Sequence, residues 1–327
     1  MSSVSPAKSG ASAARAHTPA ELIDPHALMA IKNLELRARL VVEGFWKGLH
    51  RSPYHGFSVE FSEYRQYTPG DDPRYVDWRL FARTDRFYVK KFEDETNLRC
   101  FLLVDQSKSM TYGSLDWSKA EYANTLAATL AYFLNRQGDA VGLLTFDDQI
   151  REYLPARNRP GHLRHLMLLL EKPPAGTGTN INAALQRIVE LVTRRGLVVL
   201  ISDLLSPLEQ LEKNLLALCS FGHDVVLFQV LDPAELNFAF QTASLFHDLE
   251  SKRDLYIDAI AVRREYLKRL EAHNSAAQKI CQKIGVHYSR FDTARPLELA
   301  LFDFLRARME RHKGSKRIRS AVANLRQ

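Results

Sequence analysis

The stretch LRCFLLVDQSKSM, residues 98–110, decides the fold, because an apolar run suited to a buried strand breaks off into Asp105, Ser107 and Ser109. Further apolar runs follow, separated by segments with the apolar spacing of helices. Continuous apolar strands that alternate with helices are typical of a parallel sheet covered on both faces. The sequence therefore predicts an α/β fold with a doubly wound, mostly parallel sheet. The predicted strands are LRCFLLV (98–104), AVGLLTF (140–146), LVVLIS (197–202), DVVLFQVL (224–231) and GVHYSRF (285–291).

The predicted helices lie between these strands, and two of them begin with a capping box. Ser118 pairs with Glu121 in the first box. Ser206 pairs with Glu209 in the second, where Pro207 stands at the first helical position. The predicted helices cover residues 118–138, 161–172, 180–196, 206–222 and 263–285.

Composition divides the chain into four parts. Its start is rich in Ala, Ser and Pro, which is typical of disorder. A predicted helix over residues 27–46 and short strands near residues 57–62 and 86–93 come before the main domain. We therefore expect a disordered N-terminus over residues 1–25, an N-terminal helix and small β-rich segment packed on the main domain over residues 26–96, a main domain over residues 97–312 and a basic tail over residues 313–327.

The net charge of +7 is concentrated at one end of the chain. From Arg306 onward eight basic residues face one acid, Glu310, which accounts for the whole excess. A nucleic-acid-binding face would show basic clusters within the fold as well. We therefore expect no nucleic acid as a partner.

Cysteine spacing and apolar runs indicate the compartment. Cys100, Cys219 and Cys281 lie far apart without a C-x-x-C pair, which argues against a disulfide framework and a structural zinc site. The longest apolar runs are far shorter than the roughly 20 residues of a membrane span, and the N-terminus lacks the apolar region of a signal peptide. We therefore expect a cytoplasmic protein with no membrane span.

Oxygen-bearing side chains stand where predicted strands end. Asp105 ends the first strand, Asp203 follows LVVLIS, and Thr179 opens the helix that lies between them in sequence. The carboxyl ends of neighbouring parallel strands bring such loops together. Two carboxylates and three hydroxyls offer only hard oxygen donors, which suits Mg²⁺, with Mn²⁺ or Ca²⁺ as alternatives. The sequence predicts a metal site of Asp105, Ser107, Ser109, Thr179 and Asp203 at a solvent-facing strand end.

The motifs DQSKSM, GTGTNINAAL and LVVLISD resemble the von Willebrand factor A (vWA) domain and its metal-ion-dependent adhesion site (MIDAS). The pattern of that site is D-x-S-x-S, then a Thr, then an Asp, and all five predicted ligands match it. The resemblance implies that the hydroxyls contact the metal, that the aspartates act partly through water, and that one position stays open for a partner's acid. It thus implies a non-enzymatic protein-binding module.

Residues 45–310 resemble the family catalogued as domain of unknown function 58, above all in GDDPRYVDWRLFART, residues 70–84. Members of that family are bacterial or archaeal, have a vWA-like domain and are commonly encoded beside MoxR-type AAA+ ATPases. The resemblance implies an adaptor or co-chaperone role. It also implies a MoxR-type ATPase and its client as partners.

Charged and aromatic residues within residues 53–96 admit two interpretations. They form either a recognition surface or an ion-pair network, in which Trp78 packs in a small core that fastens the segment to the main sheet. The residues concerned are Arg65, Asp71, Asp72, Arg74, Asp77, Trp78 and Arg83.

Other functional interpretations have less support in the sequence. Asp147 and Asp148 also end a strand, but a turn between two strands explains them at least as well, and we leave them out of the site. The alternative function is a metal-dependent hydrolase or phosphatase that uses the same ion as a Lewis acid. Ser107 stands where a phosphotransfer D-x-D-x-T motif needs its second Asp, and no other catalytic motif follows a strand.

Overall fold

A six-stranded sheet forms the centre of the computed structural model, which describes residues 22–51, 63–67, 81, 86–91, 98–174, 178–192, 194–238, 240, 244–247 and 254–305. The strands are β1 (Glu63–Gln66), β2 (Tyr88–Lys91), β3 (Arg99–Asp105), β4 (Ala140–Phe146), β5 (Ile150–Arg157), β6 (Leu197–Ser202), β7 (Asp224–Leu231), β8 (Ser244–His247), β9 (Asp254–Ile257) and β10 (His287–Asp292). The α-helices are α1 (Pro25–Met29), α2 (Leu34–Arg51), α3 (Lys119–Arg136), α4 (His162–Leu170), α5 (Ile181–Leu191), α6 (Leu211–Ser220), α7 (Pro233–Asn237) and α8 (Ala259–Ile284). A 3₁₀ helix covers Lys108–Thr111, and residues 298–305 are helical.

The central sheet has the strand order β10-β7-β6-β3-β4-β5, and all neighbours in it run parallel except β4 and β5. The predicted doubly wound, mostly parallel α/β sheet is therefore confirmed. From β3 the chain builds outward through β4 and β5 and then returns to place β6 on the other side of β3. The strand order thus reverses between β3 and β6, the kind of position where α/β sheets bind ligands.

Side chains of β3 pack alternately on the two faces of the sheet. Leu102 and Val104 pack on the face covered by α2, α3, α4 and residues 298–305. Phe101 and Leu103 pack on the opposite face, against α5, α6 and α8. Because both faces are covered, apolar residues are needed at successive positions, which explains the continuous apolar runs of the sequence.

One predicted capping box is confirmed and the other is wrong. At the start of α3 the hydroxyl of Ser118 accepts from the backbone amide of Glu121 at 3.2 Å, and the Glu121 carboxylate accepts from the Ser118 amide at 2.8 Å. By contrast, α6 begins only at Leu211 and has no side-chain cap. The segment between β6 and α6 is held at the edge of the sheet by the buried side chain of Leu204. The chain therefore becomes helical later than the capping box at Ser206 predicts.

The N-terminal helices share a core with the central sheet. The predicted helix over residues 27–46 is in fact two helices, α1 and α2. Val41 and Phe45 of α2 are buried in the same cluster as Leu102 of β3. The backbone amide of Ile23 donates to Oε1 of the buried Glu298 at 2.9 Å, so the two ends of the described chain meet.

Short antiparallel ribbons stand apart from the central sheet. β1 pairs with β2, and β8 pairs with β9. β2 lies within the strand predicted near residues 86–93. The strand predicted near residues 57–62 and the basic tail over residues 313–327 lie outside the described residues, as does most of the charged block around Trp78. The domain boundaries stay predictions.

Cysteines and helix lengths bear on two further expectations. The three cysteines, all within the described residues, form no disulfide. Among the described helices, none is both long enough and apolar enough to cross a membrane.

Candidate metal centre

Two neighbouring strands of the central sheet lead into a buried aspartate. Asp105 is the last residue of β3, and Asp203 follows directly after β6. The two strands pair in parallel, with Val104 opposite Ile201, so their carboxyl ends lie side by side. Both aspartates therefore stand where the strand order reverses.

Asp105 is fully buried and is held by neutral donors. Its Oδ1 accepts from the backbone amide of Ser107 at 2.9 Å, and its Oδ2 accepts from the hydroxyl of Ser202 at 2.6 Å. Within the described residues no lysine, arginine or histidine forms an ion pair with it. Burial and the nearby carboxylate of Asp203 raise the pKa of Asp105 to about 7, although both hydrogen bonds lower it. A nearby cation would stabilise the ionised form of this carboxylate.

The hydroxyls of Ser107 and Ser109 meet next to Asp105. A 3₁₀ helix begins directly after Ser107, and its tight turn brings the two Oγ atoms to 3.1 Å. An octahedral Mg²⁺ ion with bonds of about 2.0–2.1 Å places adjacent ligand atoms about 2.9 Å apart. The spacing of the two hydroxyls thus fits adjacent positions around such an ion.

Asp203, in contrast, is paired with a cation of the chain itself. Its Oδ2 accepts from Nζ of Lys119 at 2.9 Å, and the same Nζ donates to Oε1 of Glu235 at 2.7 Å. Lys119 is the first residue of α3 and is completely buried. Burial disfavours its ammonium, but the two carboxylates outweigh this effect and raise the pKa of Lys119 to about 12. The lysine is therefore charged, and it compensates Asp203 directly.

Side chains of β7 and α8 hold the backbone of the segment that contains Asp203. The backbone carbonyl of Asp203 accepts from Nε2 of Gln229 at 2.9 Å, and the carbonyl of Leu204 lies 2.7 Å from Nε2 of His273 in α8. Leu204 has a left-handed backbone with φ of 57°. That conformation costs a residue with a side chain on the order of 1–2 kcal/mol, and here the fully buried leucine side chain holds it in place.

Thr179 approaches the site from the side of β4. It is half-buried and precedes Asn180, the N-cap residue of α5. The backbone amide of Asn180 donates to the carbonyl of Asp147 at 2.6 Å, which ties this loop to the end of β4. Because β4 is the other neighbour of β3, Thr179 lies at the same edge of the sheet as Asp105 and Asp203.

The acids after β4 serve a turn. The carboxylate of Asp147 accepts from the backbone amide of Gln149 at 3.0 Å and from Arg151, and Asp148 pairs with Arg151 at 3.2 Å. The antiparallel pairing of β4 with β5 confirms the turn predicted between two strands here.

The predicted site is more enclosed than the sequence indicates. We expected a solvent-facing strand end, but both aspartates and Ser107 have at most 1% of their surface exposed. The chain beyond the 3₁₀ helix folds over this edge, because Ser114 donates from its amide and its hydroxyl to the carboxylate of Asp232, at 2.8 and 2.5 Å. Ser109 and Thr179 are only half-buried, so the site is open to solvent on their side.

Sequence reasoning missed Ser202 and Lys119, which bond to the two aspartates, and Glu235, which bonds to Lys119. Lys119 carries a detectable signal, since a lysine at the first position of a helix is unfavourable next to the positive end of the helix dipole. Glu235 belongs to the capping box of α7, which gives no hint of its lysine partner. Among the described residues no three His, Cys, Asp or Glu side chains gather as a metal site, so the predicted centre depends on its hydroxyls.

The chain matches a known family and several curated relatives. The sequence model of the family described as "Protein of unknown function DUF58" matches residues 63–276. Uncharacterized proteins of Mycobacterium tuberculosis and Mycobacterium bovis are each 28% identical to this chain over 301 residues, which cover 90% of this chain and 93% of the relative.

Solved structures with a partial likeness include two from Bacteroides. An aerotolerance-related membrane protein from Bacteroides fragilis is 19% identical, with a TM-score of 0.45 and coverage of 62% of this chain and 96% of that chain. The hypothetical protein BatB from Bacteroides thetaiotaomicron is 18% identical, with a TM-score of 0.45 and coverage of 65% and 99%. The SpRpn10 VWA domain is 14% identical, with a TM-score of 0.34 and coverage of 62% and 92%.

Proposed function

The chain belongs to the DUF58 family, and from that premise we propose that it is a non-enzymatic protein-binding module with a divalent cation, Mg²⁺, in a MIDAS-type site. Five side chains would hold the ion, with Mn²⁺ or Ca²⁺ as alternatives. They are Asp105, Ser107, Ser109, Thr179 and Asp203.

The surroundings of Asp105 carry this proposal. Its buried carboxylate has only neutral donors among the described residues, and the hydroxyls of Ser107 and Ser109 stand 3.1 Å apart next to it. A cation held largely by neutral hydroxyls keeps its affinity for anions and so recruits a carboxylate from a partner protein. Ser109 and Thr179 are only half-buried, so the carboxylate would enter from their side of the site.

The partner we propose is a MoxR-type AAA+ ATPase together with its client. The resemblance of residues 45–310 to a family commonly encoded beside such ATPases supports this choice. In this role the chain acts in the cytoplasm as an adaptor that presents the client to the ATPase. The proposal includes no catalysis, because no G-x-S-x-G, H-E-x-x-H or G-x-G-x-x-G motif follows a predicted strand in the sequence.

Calorimetric titration with Mg²⁺ tests the metal site. Asp105→Asn and Ser107→Ala are each expected to weaken binding by about tenfold or more, because the first removes the negative charge of a proposed ligand and the second removes a hydroxyl oxygen. Asp148→Asn is the matched control, since Asp148 lies two residues beyond the end of the adjacent strand β4 and pairs with Arg151. Unchanged affinity in Asp105→Asn would show that the ion, if bound, lies elsewhere.

Partner capture tests the second half of the proposal. The immobilised chain is expected to retain a purified MoxR-type ATPase of the same host in the presence of Mg²⁺ and to release it on addition of a chelator. Asp105→Asn should fail to retain it, and Asp148→Asn should retain it. Retention that ignores both the chelator and Asp105→Asn contradicts a metal-bridged partnership.

A further inference from the structure

A buried ammonium shares one of the proposed metal ligands. Nζ of Lys119 lies 2.9 Å from Oδ2 of Asp203 and 2.7 Å from Oε1 of Glu235. The side chain of Lys119 is completely buried, whereas that of Glu235 keeps 16% of its surface exposed. Lysine is almost never fully buried unless it is paired, so these two carboxylates hold it in place.

We infer that Lys119 competes with the divalent cation for Asp203 and thereby sets the affinity of the metal site. This inference rests on the function proposed above. The ammonium and a metal ion would draw on the same carboxylate, and two positive charges at such short range repel each other. The affinity of the site then depends on a side chain that does not itself bind the ion.

The charges of the cluster support this role. Two carboxylates, those of Asp203 and Glu235, contact the single ammonium of Lys119, which offsets the charge of one of them. Removal of Lys119 makes the site more negative by one charge and strengthens the attraction for the ion. Neutralising Glu235 makes it less negative by one charge and weakens the attraction.

Glu235 allows Asp203 to turn toward a metal ion without leaving the ammonium unpaired. Its Oε2 accepts from the backbone amide of Asp232 at 2.9 Å, in the capping box of α7, and this bond fixes the side chain. Its Oε1 would stay with Lys119 if Asp203 turned toward the ion. The ion would then bind weakly by itself and more strongly once a partner's carboxylate added negative charge.

Calorimetric titration of the full chain with Mg²⁺ separates this role from a purely structural one. Lys119→Met is expected to bind Mg²⁺ about tenfold more tightly than the parent protein, and Glu235→Gln about tenfold more weakly. The double variant Lys119→Met/Glu235→Gln has the parent's charge at the site, and its affinity is expected within about threefold of the parent's. Lys283→Met, which removes an exposed lysine paired with Glu212, is the control and should leave the affinity unchanged.

The variants also decide the outcome if Lys119→Met does not fold. Thermal unfolding of each protein, with and without Mg²⁺, shows whether it is folded. Should Lys119→Met fail this check, a Glu235→Gln affinity equal to or above the parent's overturns the inference. Equal affinities in the parent, Lys119→Met, Glu235→Gln and the double variant overturn the inference as well. If Asp105→Asn nevertheless loses binding in that case, the proposed function survives. Absence of any Asp105-dependent binding in the parent overturns both.

Discussion

β3 and β6 lead into equally buried aspartates that differ in their partners. Asp105 accepts hydrogen bonds from the amide of Ser107 and the hydroxyl of Ser202. Asp203 faces the ammonium of Lys119. Two equally buried carboxylates at this edge of the sheet therefore have different electrostatic surroundings. Only neutral groups donate to Asp105, whereas an ammonium donates to Asp203.

The two positions consequently have different roles. Asp203 belongs to an ion-paired cluster that joins α3 and α7 and is part of the folded framework. Asp105, once ionised, has no cationic partner among the described residues, and it stands beside two hydroxyls. Of the two proposed metal ligands, Asp203 thus also has a structural role that Asp105 lacks.

Matched substitutions at the two aspartates give the largest expected difference. Asp203→Asn is expected to lower the free energy of unfolding by about 3 kcal/mol, because it removes one partner of the buried ion pair and leaves Lys119 with Glu235 alone. Asp105→Asn is expected to change it by less than about 1 kcal/mol, because the amide keeps the shape and removes a buried charge without a cation. Urea unfolding at pH 8 in the presence of a chelator measures both. Equal losses would contradict a structural role that belongs to Asp203 and not to Asp105.

Removing the neutral support of Asp105 gives a smaller expected effect. Ser202→Ala takes away the donor to Oδ2 of Asp105 and the acceptor that receives the amide of Leu204 at 3.0 Å. We expect a loss of about 2 kcal/mol in the free energy of unfolding, since a buried acceptor and a buried donor are left unsatisfied. The measurement is urea unfolding under the same metal-free conditions.

Ser220→Ala is the control for that substitution. The hydroxyl of Ser220 bonds to the carbonyl of Leu216 at the exposed end of α6, and its removal should cost less than about 0.5 kcal/mol. A loss in Ser202→Ala no larger than in this control would mean that the hydroxyl does not support Asp105.

Strand positions could be predicted from the sequence because the sheet is covered on both faces. AVGLLTF, LVVLIS and DVVLFQVL coincide with β4, β6 and β7 at every residue. A strand buried on both sides is mostly apolar, so the ends of the apolar run lie close to the ends of the strand. The two aspartates were predictable for the same reason, since a carboxylate directly after an apolar run marks where the buried strand stops.

The surroundings of the site could not be predicted in this way. Lys119 meets Glu235, and Ser114 meets Asp232, only because the sheet order brings distant segments together. Such contacts leave no local pattern, so the enclosure of the site and the compensation of Asp203 were missed. The late start of α6 has a similar cause, because burial of Leu204 overrides a good local capping signal.

The weakest expected effect concerns a third buried carboxylate, Glu298, which tests the lesson of Asp105 away from the proposed metal site. Its Oε1 accepts from the backbone amide of Ile23 at 2.9 Å, and its Oε2 finds no partner among the described residues. Burial raises the pKa of Glu298, although the hydrogen bond from Ile23 lowers it. The pKa is therefore higher in the folded than in the unfolded protein. Its contribution to stability is complete below the unfolded pKa and is lost as the pH rises through the folded pKa.

Glu298→Gln should accordingly be more stable than the parent at pH 8, by roughly 1 kcal/mol, because the substitution removes a buried charge that only a neutral donor supports. The advantage should shrink as the pH falls toward 4, where the parent's carboxyl takes up a proton. Urea unfolding of both proteins across this range measures the difference, with Glu265→Gln in an exposed ion pair as the control. An advantage that is independent of pH would mean that ionisation of the buried carboxyl is not its cause. The contrast drawn between Asp105 and Asp203 would then lose its electrostatic basis.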